Sequence, residues 1–415
     1  MKFYFPDSQD MVSPTYDFIN DEYAVHRVRQ RDDLYAHEVV KPAPYDGILV
    51  SKAIVDGSVS GSGKYTTAQR ERLHRLGVNR FFRLPDGVDS LGDCGAFNYV
   101  NEELPPYTVG EVLDFYEDCS FDAGVSVDHV VLAFDSNVSD ADTPQDWKTR
   151  REISLRYAED FLMEARARNS PVIPYGAAQG WSPASYSESV ERLQAMGYRH
   201  IAIGGMVPLR TKDILSSLRA IDEVRDPSVH LHLLGITRVE SMEEFSRLGV
   251  RSFDSTSPFR QAFMDDRRNY HTLDDAYVAI RVPQVDGNAA LKRLILSGAV
   301  SSRDANTLER ACMEGLRAYD RGKTKLRVVL GLLEEYEGIV KPRRSYLADY
   351  ERTLSARPWK FCGCSLCSAC GIDVAIFRGT ERNKRRGFHN IYVFEQRVRQ
   401  LSLSPQKRSS RAKKG

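Results

Sequence analysis

Two carboxylates and a cluster of sulfur ligands are the residues of this chain best suited to chemistry. Asp254 lies in FDSTSPFR (253–260), where Ser and Thr follow the acid and a proline stops an extended run. Asp93 lies in LGDCGAF. Together they supply the two acids of a retaining displacement at a sugar carbon, one attacking the anomeric carbon and the other moving protons. Either alone would read as a helix cap or turn residue. Nearer the C-terminus, Cys362, Cys364, Cys367 and Cys370 fall within nine residues, and His389 follows. The run C-x-C-x2-C-x2-C…H suits a closed tetrahedral thiolate/imidazole zinc site with a structural role. Cysteines so close in sequence cannot easily pair with good disulfide geometry.

The elements that must position these residues are short apolar runs separated by amphipathic stretches. Extended runs are expected at 2–5, 47–51, 80–84, 129–134, 171–176, 200–205, 230–235 and 251–255. Several are almost wholly apolar, as parallel strands buried on both faces require. Helices are expected at Thr149–Arg168, Ser185–Met196, Thr211–Arg225 and Ser241–Leu248. Eight strands alternating with helices predict an α/β fold of the (β/α)8 TIM-barrel type. Asp135 closes the fourth run, Gln179 follows the fifth, Gly204-Gly205 close the sixth and Asp254 lies in the eighth. The C-terminal strand ends of such a barrel converge on one pocket. The expected organisation is a catalytic barrel over 1–260, a helical insertion over 261–359, a zinc-binding subdomain over 360–400 and a basic disordered tail over 401–415.

The net charge of +1 hides an uneven distribution. From Arg382 to Gly415 there are eleven Lys/Arg against one acid, Glu395, which predicts a basic face for phosphate-bearing partners. No apolar leader follows Met1 and no run is long enough to span a membrane, while Cys94, Cys119 and Cys312 are scattered. A reducing, cytoplasmic setting is the expectation. The segment GSVSGSGKYTT (57–67) fails as a phosphate loop, because Ser58 and Tyr65 stand where Gly and Ser/Thr are needed; a flexible Gly/Ser loop is expected.

GDCGAF (92–97), VVLAFD (130–135), AAQG (177–180), AIGG (202–205), LLGIT (233–237), GVRSFDSTSP (249–258) and the Cys run with His389-Asn390 occur in an order that resembles the tRNA-guanine transglycosylase family. The resemblance implies Asp254 as the nucleophile that bonds the sugar carbon as guanine leaves. It implies Asp93 as the general base for the incoming 7-deazaguanine. Asp135, Gln179 and the Gly204-Gly205 backbone would hold the base edge, with Phe97 on its face. Cys362, Cys364, Cys367 and His389 would hold structural Zn2+, with Cys370 as a substitute thiol. The chain departs from the family pattern at Ala96, Asn98, Ser136-Asn137 and Ser257–Arg260. The N-terminal segment and the long insertion resemble the DpdA branch, whose members insert a 7-deazaguanine such as preQ0 into DNA. Guanine exchange in DNA is therefore the implied activity, with tRNA as the alternative substrate. A partner ATPase and a homodimer are further implications, and a non-catalytic nucleic-acid-binding subunit is the competing reading.

Overall fold

In the computed structural model eight parallel strands close on themselves in chain order. They are β1 (Lys2–Pro6), β2 (Gly47–Ser51), β3 (Asp89–Asp93), β4 (Ala123–Val125), β5 (Ile173–Ala178), β6 (His200–Ile203), β7 (His230–Leu233) and β8 (Val250–Asp254), with β8 pairing back onto β1. The structure describes residues 1–58, 61–139, 141–342 and 344–403. Successive strand residues face opposite sides, so alternate positions fill the barrel. Tyr4, Leu49, Leu91, Val125, Ala177 and Ala202 form that interior cluster. The helices Gln145–Ala167, Pro183–Met196, Thr211–Val224 and Met242–Arg247 lie close to their expected bounds.

Two expected strands are placed elsewhere. The run at 80–84 ends a helix, Thr67–Phe82, opened by a reciprocal Thr66/Gln69 cap. The helix is broken at Gly77 (φ +69°); Leu73 is buried before the break, and Val78, Phe81 and Phe82 are buried at helical spacing after it. The third barrel strand is instead the polar Asp89–Asp93. The apolar run at 129–134 forms no strand; the fourth strand is Ala123–Val125 just before it. Both true strands contain a glycine for the same reason. A Cβ at Gly92 or at Gly124 would lie 2.3 Å from the ring of Tyr116, which packs on both. The Tyr116 hydroxyl donates to the carbonyl of Val125 at 2.9 Å.

Contacts divide the chain into two units. One comprises Met1–Ser8, Tyr45–Ser255 and Glu395–Gly415; the other comprises Gln9–Pro44 and Thr256–Phe394. Gln9–Pro44, expected within the barrel region, therefore groups with the insertion and the cysteine-rich segment. The second unit carries the helices Ser302–Asp320, Leu326–Val340 and Leu347–Ala356. It also holds a parallel pairing of Ile280–Arg281 with Ile376–Phe377.

Arginines of the expected basic face are internal struts of this second unit. Arg382, Arg385 and Arg386 are buried. Arg382 pairs with Asp21 and Asp373 and donates to the Phe18 carbonyl. Arg385 pairs with Glu381 and donates to the Ser13 carbonyl, while Arg386 donates to the carbonyls of Ala262 and Ile376. Their hydrogen-bonding capacity is spent on the fold, which corrects the expectation of a phosphate-facing surface at these positions. Ser404–Gly415, most of the expected basic tail, lie outside the described residues, as do Val59 and Ser60 of the Gly/Ser loop.

Candidate active site and metal-ligand cluster

Asp254 is the last residue of β8, opposite Tyr4 of β1 in register, and is 6% exposed. Its Oδ1 accepts from the Gly235 amide at 2.9 Å and lies 3.2 Å from His232 Nε2. His232 is fully buried, and its Nδ1 lies 2.8 Å from Ser252 Oγ. A Ser252 hydroxyl donating to Nδ1 leaves Nε2–H to donate to the carboxylate. Both contacts engage Oδ1, so the carboxylate is oriented while, among the described residues, no hydrogen bond occupies Oδ2.

Asp93 ends β3, in register with Ser51 of β2. Its carboxyl is pushed up to about 7, first by burial. The charges of Asp254 and Asp128 add to that rise, while the Ser51 hydroxyl and the Gly95 amide oppose it. Asp93 Oδ1 is buried and has no hydrogen-bond partner among the described residues. An unsatisfied buried carboxyl oxygen is costly in a finished fold, so it marks a position poised to exchange a proton or a hydrogen bond with a ligand.

Beside these two acids stands a third. Asp128, 4% exposed, accepts from Gln179 Nε2 at 2.6 Å and from the Cys94 thiol at 3.0 Å. Burial raises its carboxyl above the ordinary range. The Tyr99 hydroxyl spans the Cys94 sulfur at 2.8 Å and the Asp128 carbonyl at 3.0 Å. Gln179 Oε1 in turn accepts from the Val131 amide at 3.3 Å. The Gly204-Gly205 turn closes on this group so tightly that a Cβ at Gly204 would lie 2.1 Å from Gln179 Nε2. Gly205 has φ +74°, and a Cβ there would lie 2.5 Å from the Val131 carbonyl.

Asp135 is not part of this group. It is exposed, its amide donates to the Trp181 carbonyl, and its Oδ1 accepts from the Asn137 amide at 2.9 Å in a local turn. Because β4 ends at Val125, Asp128 rather than Asp135 lies near its C-terminal end. Phe97 lies on a short 3-10 turn, Ala96–Tyr99, and is 50% exposed.

In the second unit the donor atoms of Cys362, Cys364, Cys367 and His389 all lie within 4.8 Å of one another. The three sulfurs lie 3.5, 3.5 and 3.3 Å from His389 Nδ1. Donors held about 2.0–2.3 Å from a common centre sit roughly 3.5–3.8 Å apart at tetrahedral angles, so this set fits a metal ion. His389 Nε2 donates to the His271 carbonyl at 2.8 Å, which leaves Nδ1 as the lone-pair nitrogen facing the thiols. Tyr270 stacks on the His389 ring with centroids 4.3 Å apart. Cys370 is outside the cluster, and burial pushes its thiol up to about 11.

Over 97% of its length this chain is 48% identical to a DNA-guanine transglycosylase of Salmonella montevideo, matching 98% of that protein. The chain belongs to the DNA-guanine transglycosylase family. A queuine tRNA-ribosyltransferase of Marinobacter nauticus is 31% identical over 37% of the chain and 40% of its own length. One from Xanthomonas campestris pv. campestris is 26% identical over 53% of the chain and 56% of its own length. No family model matches the chain. For a DNA-guanine transglycosylase family member, the residues least visible in the sequence are His232, Asp128, Cys94 and Tyr99. His232 had one available signal, since it shares a strand face with Leu234, which packs on the barrel interior. Asp128 was masked by the more strongly apolar run that follows it.

Proposed function

We propose that this chain exchanges guanine in DNA for a 7-deazaguanine base of the preQ0 type, by double displacement. The observation that carries the reading is the pair Asp254, buried, and Asp93, half-buried, two carboxyls at strand ends of one barrel, with one anchored through a single oxygen and the other raised to about 7. Near-full-length similarity to a DNA-guanine transglycosylase supports DNA over tRNA.

In the first step the Asp254 carboxylate attacks the deoxyribose C1′ and the bond to guanine N9 breaks. Gly235 N–H and His232 hold Oδ1 so that Oδ2 faces the sugar. Protonated Asp93 gives its proton to the departing base. In the second step the Asp93 carboxylate takes the N9 proton of the incoming 7-deazaguanine, N9 attacks C1′, and the Asp254 ester bond breaks. A carboxyl near 7 serves both directions at neutral pH. Asp128 and Gln179, with the close-packed Gly204-Gly205 backbone, read the base edge, and exposed Phe97 covers a base face. The target must leave the helical stack to reach this pocket, which costs roughly a few kcal/mol.

The cluster of three thiols and one imidazole suits zinc, which would be held by Cys362, Cys364, Cys367 and His389 and would tie the cysteine-rich turn to the helix carrying His389. All seven cysteines are free thiols, as a reducing compartment keeps them, which supports a cytoplasmic site of action. No helix among the described residues is long and apolar enough to cross a membrane. The resemblance to the DpdA branch extends the reading to a partner ATPase and a homodimer.

The test is incubation of purified protein, with and without the partner ATPase, with isotope-labelled preQ0 and either duplex DNA or tRNA, followed by nucleoside mass spectrometry. Label in deoxynucleosides alone is the expected result. Label confined to tRNA would replace DNA with tRNA, and none in either would sink the reading.

A further inference from the structure

A second place built for a ligand lies wholly within the second unit. It is a cavity of about 590 Å3. That volume falls in the range of about 300–1,000 Å3 typical of small-molecule sites. Its wall combines the Arg281 guanidinium, whose Nε has no hydrogen-bond partner among the described residues, with a cluster of aromatic rings. Arg281 sits on the short strand pairing with Ile376–Phe377, its guanidinium carbon 4.4 Å from the Phe377 ring centre and 5.3 Å from that of Tyr346. Tyr346 in turn stacks with Tyr350.

Among the described residues, Arg281 Nε is buried with no hydrogen-bond partner and the guanidinium is in no ion pair, although its charge, after the Tyr346 hydroxyl, helps hold the Asp266 carboxyl below the ordinary range. The other charged groups of the wall are already engaged. Arg378 is paired with Asp21 and Glu309. Asp266 accepts from the Tyr346 hydroxyl at 2.8 Å, and Glu337 from the Tyr346 amide at 3.0 Å and the Ser345 hydroxyl at 2.7 Å. The side-chain amide of Gln284, also on the wall, makes no hydrogen bond among the described residues.

We infer that this cavity binds a nucleoside phosphate. A planar fork of N–H donors flanked by two rings is matched to a phosphate, which it can take bidentately. The Phe377 and Tyr346 faces are already met by the guanidinia of Arg281, Arg386 and Arg344, so recognition of the nucleoside falls to the Gln284 amide, which offers a donor and an acceptor to a base edge. Two acids on the same wall, Asp266 and Glu337, disfavour a polyphosphate. They leave a single phosphate group, that of a nucleoside monophosphate or of a diester in a single strand. The two sources share one chemistry and separate in the test.

The zinc-loaded full-length protein is titrated calorimetrically with deoxyadenosine monophosphate, with a short single-stranded oligodeoxyadenylate and with inorganic phosphate. Adenine is chosen so that the guanine pocket of the barrel does not supply the signal. Saturable binding of the monophosphate, or of the oligonucleotide alone, supports the inference and names the source. Arg281→Met should weaken that binding at least about tenfold, since a charged bidentate pair is lost. Asp254→Asn should leave it unchanged, so failure here is separable from failure of the base-exchange reading. If Arg281→Met does not fold, Arg281→Lys, which keeps the charge without the fork, and Gln284→Ala should each weaken it. The inference is overturned by no binding of either nucleotide, by inorganic phosphate binding as tightly as the monophosphate, or by affinity that survives these substitutions.

Discussion

Replacing Asp93 by asparagine should make the protein more stable at pH 8, although it removes a proposed catalytic group. In the folded chain the Asp93 carboxyl titrates near 7 rather than 3.8, because burial and the neighbouring charges of Asp254 and Asp128 oppose its ionisation. The native state therefore holds this proton over a range in which the unfolded chain has lost it. A carboxyl raised in this way favours folding below the unfolded value and loses that contribution as pH climbs through the interval to about 7. Ionising it in place costs at most about 4 kcal/mol above pH 7, converting the interval at about 1.4 kcal/mol per pH unit. Lost bonds from Ser51 and Gly95 offset roughly 1–2 kcal/mol of the gain in the variant. The net expectation is about 2–3 kcal/mol of extra stability at pH 8, shrinking steadily toward pH 5. Urea denaturation of both proteins across that range measures it. A difference independent of pH, or a variant less stable at pH 8 than at pH 5 relative to the parent, would refute the placement of Asp93 in a desolvated, charge-crowded pocket.

Other substitutions separate the residues grouped in the barrel. Asp128→Asn should raise the KM for the incoming base by about tenfold or more, since a charged hydrogen-bond partner of the base edge is lost, whereas Asp135→Asn should stay within about twofold; equal effects would return Asp135 to the site. Gly204→Ala should fold yet bind base poorly, because its Cβ would fall on Gln179 Nε2; wild-type base affinity would show that Gln179 has no fixed place there. His389→Ala, or removal of metal by a strong chelator, should release one zinc per chain by elemental analysis and lower the thermal midpoint, and a metal-free parent of unchanged midpoint would remove the structural role.

How much of this was legible in the sequence depends on the element. Strands β5 to β8 and their helices stand out because apolar runs and 3.6-residue periodicity agree there. Strands β3 and β4 do not, because the ring of Tyr116 demands glycine at 92 and 124 and a tertiary contact thus removes the apolar signal. The same loss shifted attention from Asp128 to Asp135. The metal-ligand set is legible because three of its four ligands, Cys362, Cys364 and Cys367, are fixed by local spacing. The arginines of 382–386 mislead for the opposite reason: their partners Asp21, Asp373 and Glu381 include residues far away in sequence, so composition shows the charge but not the pairing.

The central claim is a covalent bond between the Asp254 carboxylate and the sugar carbon of a DNA guanosine. Incubating the protein with guanine-containing duplex DNA, without incoming base, and quenching in denaturant should trap a protein–DNA adduct that mass spectrometry maps to the peptide bearing Asp254. Addition of preQ0 should discharge it. An adduct that persists in a folded Asp254→Asn variant, or one mapped to Asp93 or Asp128, would contradict the account.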